Sequence, residues 1–510
     1  MHLAAAAPAG PVHPAWAAPF ILLLACVALA PLVNRHWWER YYPAVAVGLG
    51  AVAAGYYLLV RRDAGPWLHG MQDYVSFVIL LGALYVVSGG IVIGVNRRAT
   101  PAANCALLLI GALAANVFGT TGASMLLIRP YLRMNRGRVA PYHVVFFIFV
   151  VANVGGSLTP IGDPPLFLGY LHGVPFWWVL ENAQKAWLLA VGVLIGLFFV
   201  IDSRQQGRHE RHGPIGRGTD PRDLGPAVSL VGAHNFLFIS LILFAVFRDG
   251  FFEHLRQARL DGMSLPLLGR MAISREPLML LAAAGSLLLT RRPVYQANEF
   301  SWGPVREVAV LFLGIFSTMV PALQWLGQNA ERLPLRTAGQ YYFTTGSLSS
   351  VLDNAPTYLT FLQVQLGKLD ETSVEAATGE VKRMHAAGSL EPSADLPPDA
   401  RAAVDTLIRT RPADVLAGRV ARQDVRIAFL LASPPLSRVL LAISLGSVFF
   451  GACTYIGNGP NFMVKSIAEG AGVPMPGFLG YVFHYTVPFL LPLYGLVWVL
   501  FFAPALAGPR

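Results

Sequence analysis

Runs of about 15–25 apolar residues recur along this chain, each long enough to cross the roughly 30 Å of a bilayer's hydrocarbon. Backbone in that medium must satisfy its own polar groups, so only helices or closed barrels can use such runs. A barrel strand alternates apolar and polar residues, and these runs do not. The expected fold class is an all-α polytopic membrane protein. Composition agrees: 13% of the 510 residues are charged, where a soluble protein carries about a quarter.

About ten spans are expected, near 17–33, 43–60, 74–95, 141–172, 186–201, 226–247, 276–290, 305–326, 436–467 and 478–505. Two further apolar stretches, 101–132 and 337–366, are interrupted near their middles by small and polar residues. Each suits a re-entrant hairpin whose irregular tip is buried in protein. The stretch 368–426 is polar and charged in both signs, and is expected to be a soluble, partly helical insertion. The basic stretch 204–222 is Gly-, Pro- and Arg-rich and is expected to be a flexible linker.

The net charge of +10 does not point to nucleic acid, because the Lys and Arg residues lie in short loops between spans. With the N-terminus outside, the first half has inner loops 34–42, 96–100, 129–140 and 202–224. They hold thirteen Arg, against Arg61, Arg62 and Lys185 on the outer side. That is a positive-inside bias, although 248–275 then carries five Arg on the expected outer side. No Lys or Arg precedes the run at 17–33, which is expected to be a first span rather than a cleaved signal. Cys26, Cys105 and Cys453 have neither metal-ligand nor disulfide spacing and are expected to be packing residues. The expected location is the inner (plasma) membrane, multi-pass, with the lipid bilayer and small ions as partners and no nucleic acid.

The chain repeats itself. "LGALYVVS" at 81–88 aligns with "LGIFSTMV" at 313–320, and "TTGASM" at 120–125 with "LDNAPT" at 352–357, both offset by 232. "TPIGDPPLF" at 159–167 aligns with "TYIGNGPNF" at 454–462, offset by 295. The extra 63 residues roughly match the insertion. The division is then N-terminal spans 1–66, a first repeat 67–202, linker and connecting spans 203–298, and a second repeat 299–510. Span 74–95 runs inward and its partner 305–326 outward, so the repeats have inverted topology. In that architecture the site lies at mid-membrane between broken helices, whose loose N–H and C=O groups bind ions.

Asp163 is the only Asp, Glu, Lys or Arg in 141–172, and Asp353 is the only one in 337–366. An ionisable group at membrane depth is a functional candidate by default. A carboxylate that holds either a proton or Na⁺ is the minimal machinery of exchange. Capping of a half-helix is the alternative role for both acids, since Pro164 and Pro356 follow them. The repeats set Asp163 opposite Asn458, Thr121 opposite Asp353, Gly122 opposite Asn354 and Thr159 opposite Thr454. Asn116 and Asn153 are further polar candidates near the first-half breaks. His234–Asn235 and His484–Tyr485 are expected to be helix–helix contacts.

"ANVGGSLTPIGDPP", "SSVLDNAPTYLTF" and "GACTYIGNGPNFMV" resemble the broken helices and Asp-Asn-x-Pro hairpin of the ion transporter superfamily. That group contains D-type sodium/proton antiporters, citrate and dicarboxylate transporters and arsenite-type efflux proteins. The opening "PFILLLACVALAPL" resembles the sodium:proton antiporter branch. The resemblance covers about 17–505 except the insertion. It implies inverted repeats, re-entrant hairpins, often a homodimer, and elevator-like movement. It also implies that Thr159, Asp163, Asp353, Asn354, Thr454 and Asn458 line the ion or proton site. In the first hairpin this chain has Thr121-Gly122-Ala123-Ser124 where antiporter relatives place Asp-Asn, and it lacks the Ser-Asn-Thr motifs of carboxylate carriers.

The leading expectation is a secondary antiporter exchanging Na⁺ (or Li⁺) for H⁺, with Asp163 and Asp353 as the Na⁺-binding acids and no resident cofactor. It rests on two solitary acids and on breaks free of Arg and Lys. The alternative is Na⁺- or H⁺-coupled movement of citrate, a dicarboxylate or another anion. An enzyme is not expected. An aspartyl protease dyad needs a Gly-x-Gly-Asp turn, and position 160 is Pro. Nothing resembles a channel's selectivity filter or a ring of charge.

Overall fold

The structure, a computed structural model, describes residues 12–95, 99–212, 228–257, 275–298 and 300–503. It opens with α1 (Ala18–Val33), α2 (Arg35–Gly55) and α3 (Gly65–Gly89). Asn34 starts α2 by accepting from Trp37 N (3.0 Å), so most of the expected loop 34–42 is helical. The expected span 74–95 stops as a helix at Gly89, where Gly89–Gly90 gives up helix propensity. Its end is instead β1 (Val92–Val95), paired antiparallel with β2 (Val228–Val231), so the expected helical span 226–247 also opens as a strand. Val and Ile at the paired positions suit a pleat better than a helix turn.

The first hairpin is α4 (Pro101–Met134), folded double at Gly119. Gly119 has φ +74°, a conformation L side chains rarely adopt, and this one residue reverses the chain. Gly111 on one arm comes against Leu127 on the other, and Ala99 N donates to Met134 O across the feet (3.1 Å). Then follow α5 (Pro141–Val150), α6 (Pro164–Leu171), α7 (Phe176–His212), α8 (Asn235–Gln257), α9 (Arg275–Leu289), α10 (Arg292–Ala297) and α11 (Gly303–Gln328). The expected linker 204–222 is helical to His212, and the rest of it lies outside the described residues.

The second hairpin is α12 (Ala338–Ser349) and α13 (Asn354–Leu366). Residues of the expected insertion form α14 (Glu371–Ala387), α15 (Pro398–Thr410), α16 (Pro412–Leu416) and α17 (Arg422–Ala432). These helices pack around a small core of their own that includes Val374, Met384, Val404 and Leu407. The chain finishes with α18 (Pro434–Phe449), α19 (Gly459–Gly470) and the span Phe478–Phe502. That last span alternates α- and π-helical turns around Pro488, which lacks the N–H a regular helix needs there.

Among the described residues eight helices are long and apolar enough to cross a membrane, and two shorter apolar ones, Pro14–Val27 and Asn235–Val246, accompany them. The windows at the two broken segments are 83% buried (Pro141–Leu158) and 78% buried (Pro434–Cys453), against 28% for Arg40–Val60. A helix apolar all round belongs in the interior, and Val144 to Ala152 are all fully enclosed. Leu59, Leu188 and Leu288 face outward, as lipid-exposed residues should. The hairpins interlock with the breaks: α12 lies along α18, α13 packs on α6, and α4 packs on α19.

The foot of the first hairpin is fixed by a polar network. Asn104 and Asn135 exchange amide hydrogen bonds (2.9 and 2.8 Å). The fully buried Asp202 of α7 accepts from Asn104 (2.9 Å) and Tyr142 (2.8 Å), and it pairs with Arg138 and His143. Removing one partner of such a buried ion pair costs about 3–5 kcal/mol. Asp202→Ala is therefore expected to lower the thermal midpoint of the purified protein well below that of Asp73→Ala, a half-exposed acid. Equal midpoints would remove the network from the account.

Candidate functional site

Two broken segments meet at the centre, and their backbones match. After α5 the chain makes a 3-10 turn (Val154–Leu158), becomes extended at Thr159 (φ −133°) and Asp163 (φ −137°), and restarts as α6. After α18 it makes a 3-10 turn (Phe450–Cys453), becomes extended at Thr454 (φ −142°) and Asn458 (φ −151°), and restarts as α19. Pro160 and Pro164–Pro165 cannot continue a helix begun before them, and Gly155–Gly156 weakens it.

Asp163 stands at the N-terminus of α6, fully buried, but its side chain makes no capping bond to that helix. Its Oδ1 accepts from Thr120 Oγ1 (2.8 Å) at the tip of the first hairpin and from Asn458 Nδ2 (3.2 Å) on the second break. Its Oδ2 accepts from Asn354 Nδ2 (2.8 Å) on the second hairpin. One carboxylate thus ties together both hairpins and both breaks. The starts of α6, α13 and α19 converge on it, and their partial positive charge favours negative charge at that point.

The next shell is amide and hydroxyl. The Asn458 amide also stands 3.1 Å from Asn153 Oδ1 and from the Ala152 carbonyl. Asn153 donates to Asn461 Oδ1 (2.7 Å), and Asn461 donates to the Gly451 (2.8 Å) and Thr454 (2.9 Å) carbonyls. Asn354 Oδ1 accepts from Ser349 (2.6 Å). The two threonines act alike. Thr159 donates to the Asn116 carbonyl on the first hairpin (2.7 Å) and accepts from Gly162 N (3.2 Å). Thr454 donates to the Ser350 carbonyl on the second hairpin (2.5 Å) and accepts from Gly457 N (3.0 Å). Both hydroxyls are therefore engaged with backbone, and the three hydrogen bonds to Asp163 come from other residues.

Asp163, Asn354, Asn458 and Asn153 are brought into one cluster. Asp353 is not in it: half-buried, it caps α13 by accepting from Ala355 N (3.1 Å). Thr121 makes no hydrogen bond to Asp163; its neighbour Thr120 does. Thr120 and Asn461 were missed by the sequence reading, although Asn461 lies only three residues past Asn458. His234 and Asn235 bond Thr290 on the neighbouring helix turn (2.9 and 2.8 Å), as expected of a helix contact. Because Asn also caps helices, Asp353→Asn is expected to keep near wild-type transport, whereas Asp353→Ala costs about 1 kcal/mol of stability. Thermal midpoints of the two variants check this.

Between α3, the tip of the first hairpin and the first break lies a space of about 10 Å³, lined by Leu81, Leu84, Phe118 and Ile161 together with Thr120 and Thr121. Such a volume holds about one water-sized particle. Among the described residues no group of three or more His, Cys, Asp or Glu could hold a metal. The Asp163 carboxylate itself is held by two neutral amides and one hydroxyl, a setting in which it can take up a proton.

A family model described as "Putative citrate transport" (CitMHS_2) matches residues 10–502. No curated protein matches the chain.

Proposed function

The chain belongs to this citrate-transport family, and from that premise we propose that it is a secondary transporter of a citrate-class anion, driven by H⁺ or Na⁺ bound at Asp163. The observation that carries the coupling role is the fully buried Asp163 carboxylate, held by Thr120, Asn354 and Asn458 from three different broken elements. A cation that displaces those donors, or a proton that converts the carboxylate into a donor, changes the preferred distance between the hairpins. The matched geometry of Thr159 with Asn116 and of Thr454 with Ser350 supports two inverted repeats sharing one site. The Asp163 carboxylate is fully buried and held by three donors, so an anion the size of citrate would enter only when the hairpins part, its carboxylates received by the helix N-termini.

The second reading is Na⁺ (or Li⁺)/H⁺ antiport with no anion moved. It is favoured by the absence of Lys and Arg among the described residues that hydrogen-bond Asp163. Proteoliposomes containing the protein separate the two readings. Uptake of labelled citrate that responds to an imposed pH or Na⁺ gradient is expected. A pH change triggered by NaCl or LiCl without any citrate uptake would establish the antiport reading instead. Neither response would sink both.

A further inference from the structure

Matched hydrogen bonds fix how the two hairpins correspond. Thr159 donates to the Asn116 carbonyl and Thr454 to the Ser350 carbonyl, while Thr120 and Asn354 both donate to Asp163. Asn116 and Ser350, and likewise Thr120 and Asn354, lie 234 residues apart, two more than in the alignment by sequence. Gly119 therefore corresponds to Asp353, Leu113 to Ser347 and Ile110 to Thr344. The first arms of both hairpins leave this same face exposed. In the first hairpin it is apolar, as hydrocarbon requires; in the second it carries two hydroxyls and ends at a carboxylate.

Neither the Thr344 nor the Ser347 hydroxyl has a hydrogen-bond partner among the described residues. The exposed Ser240 of the apolar α8 behaves differently, turning back to the Phe236 carbonyl four residues earlier (2.9 Å). That bond satisfies a hydroxyl where no water is present, and α12 does not use it. At the tip, Asp353 accepts from Ala355 N on one oxygen, and its other oxygen has no partner among the described residues. The 12 residues of α12 rise about 18 Å, which brings the tip near the middle of about 30 Å of hydrocarbon. A partly exposed carboxylate at that depth is too costly to face lipid. Phe343 and Val351 flank the polar positions, so the wet strip is narrow.

We propose that the exposed face of α12 lines a water-filled entrance, running from the side of the membrane that carries α14–α17 to the hairpin tip at Asp353. The corresponding face of the first hairpin lies against lipid. The entrance ends one residue from the Asp163 cluster, because Asn354 donates directly to Asp163. It deepens the transport reading and rests on it for its purpose: a hydrated ion reaches the cluster along this strip.

The test is thiol labelling of the full chain in proteoliposomes, with Cys26, Cys105 and Cys453 replaced by Ala. A charged, membrane-impermeant maleimide is the probe, since it needs a thiolate in water. Ala386→Cys, exposed on α14, measures the fraction of molecules that present that side to the reagent. Thr344→Cys and Ser347→Cys should label to the same extent as Ala386→Cys, whereas Ile110→Cys and Leu113→Cys should stay unlabelled. All four positions are exposed, so the size-exclusion profile should be unchanged in each. Thr344→Cys and Ser347→Cys left unlabelled with an intact profile would overturn the proposal, because lipid or a second copy of the chain then covers the face. Equal labelling at all four positions would overturn it as well. Ser347→Leu, which gives the face the chemistry of the first hairpin, should slow uptake; wild-type uptake in that variant would remove the entrance from the route. Labelling does not depend on what is carried, so a chain that labels as expected but moves neither citrate nor Na⁺ would sink the transport reading and leave the entrance standing.

Discussion

Asp163→Asn is expected to reduce gradient-driven transport by about 10- to 100-fold while the chain still purifies as a folded protein. Asn has nearly the shape of Asp, so packing in the fully enclosed site is kept. What changes is the hydrogen-bond inventory. Asp163 accepts on both oxygens, from Thr120 and Asn458 on one and from Asn354 on the other. Asn has one acceptor oxygen, and its NH2 group then faces a donor. Losing a hydrogen bond to a charged acceptor costs about 1.5–3 kcal/mol, and each 1.4 kcal/mol is a factor of ten. The variant also cannot release a proton or hold a cation by charge. Uptake in proteoliposomes, set beside the size-exclusion profile in detergent, measures the effect. Wild-type uptake with an intact profile would remove Asp163 from the mechanism.

Gly162→Ala is expected to damage both the fold and transport. A Cβ there would lie 2.0 Å from the Gly156 carbonyl oxygen, backbone against backbone, with no side chain able to rotate away. Overpacking of this kind costs about 1–3 kcal/mol or more. Gly162 O also accepts from Thr120 N (2.8 Å), so a shift of the break moves the hydroxyl that Thr120 presents to Asp163. Both stability and transport should fall together. Gly192→Ala in α7 is the contrast, because nothing lies within 4 Å of its Cβ position. Ala is favoured over Gly in a helix interior by about 1 kcal/mol, so that variant should be neutral or more stable. Thermal midpoints of the two variants decide the point. A Gly162→Ala protein as stable as Gly192→Ala would contradict the packing described at the break.

The breaks were legible because Pro and Gly act locally. Pro160, Pro164 and Gly155–Gly156 end one helix and start another whatever surrounds them. Asn458 was legible through its alignment with Asp163, and Asn354 through the Asp-Asn-x-Pro core. Which residue at the hairpin tip meets Asp163 was not legible, because Thr120 and Thr121 exchange places with a small change in the turn at Gly119. The roles of the two acids were likewise undecided by sequence: both precede a helix, but only Asp353 caps one. The Asp202 network draws on positions 104, 135, 138, 142, 143 and 202, and no local pattern links them. The strand pairing of 92–95 with 228–231 was hidden for the same reason, since an apolar β-branched run next to a span reads as more of the span.

Difference infrared spectroscopy of the purified protein tests most directly whether Asp163 exchanges its proton. A protonated-carboxyl band that changes with pH or with added NaCl is expected. The band should disappear in Asp163→Asn and persist in Asp353→Asn. A band unchanged in Asp163→Asn would contradict the assignment of Asp163 as the coupling site.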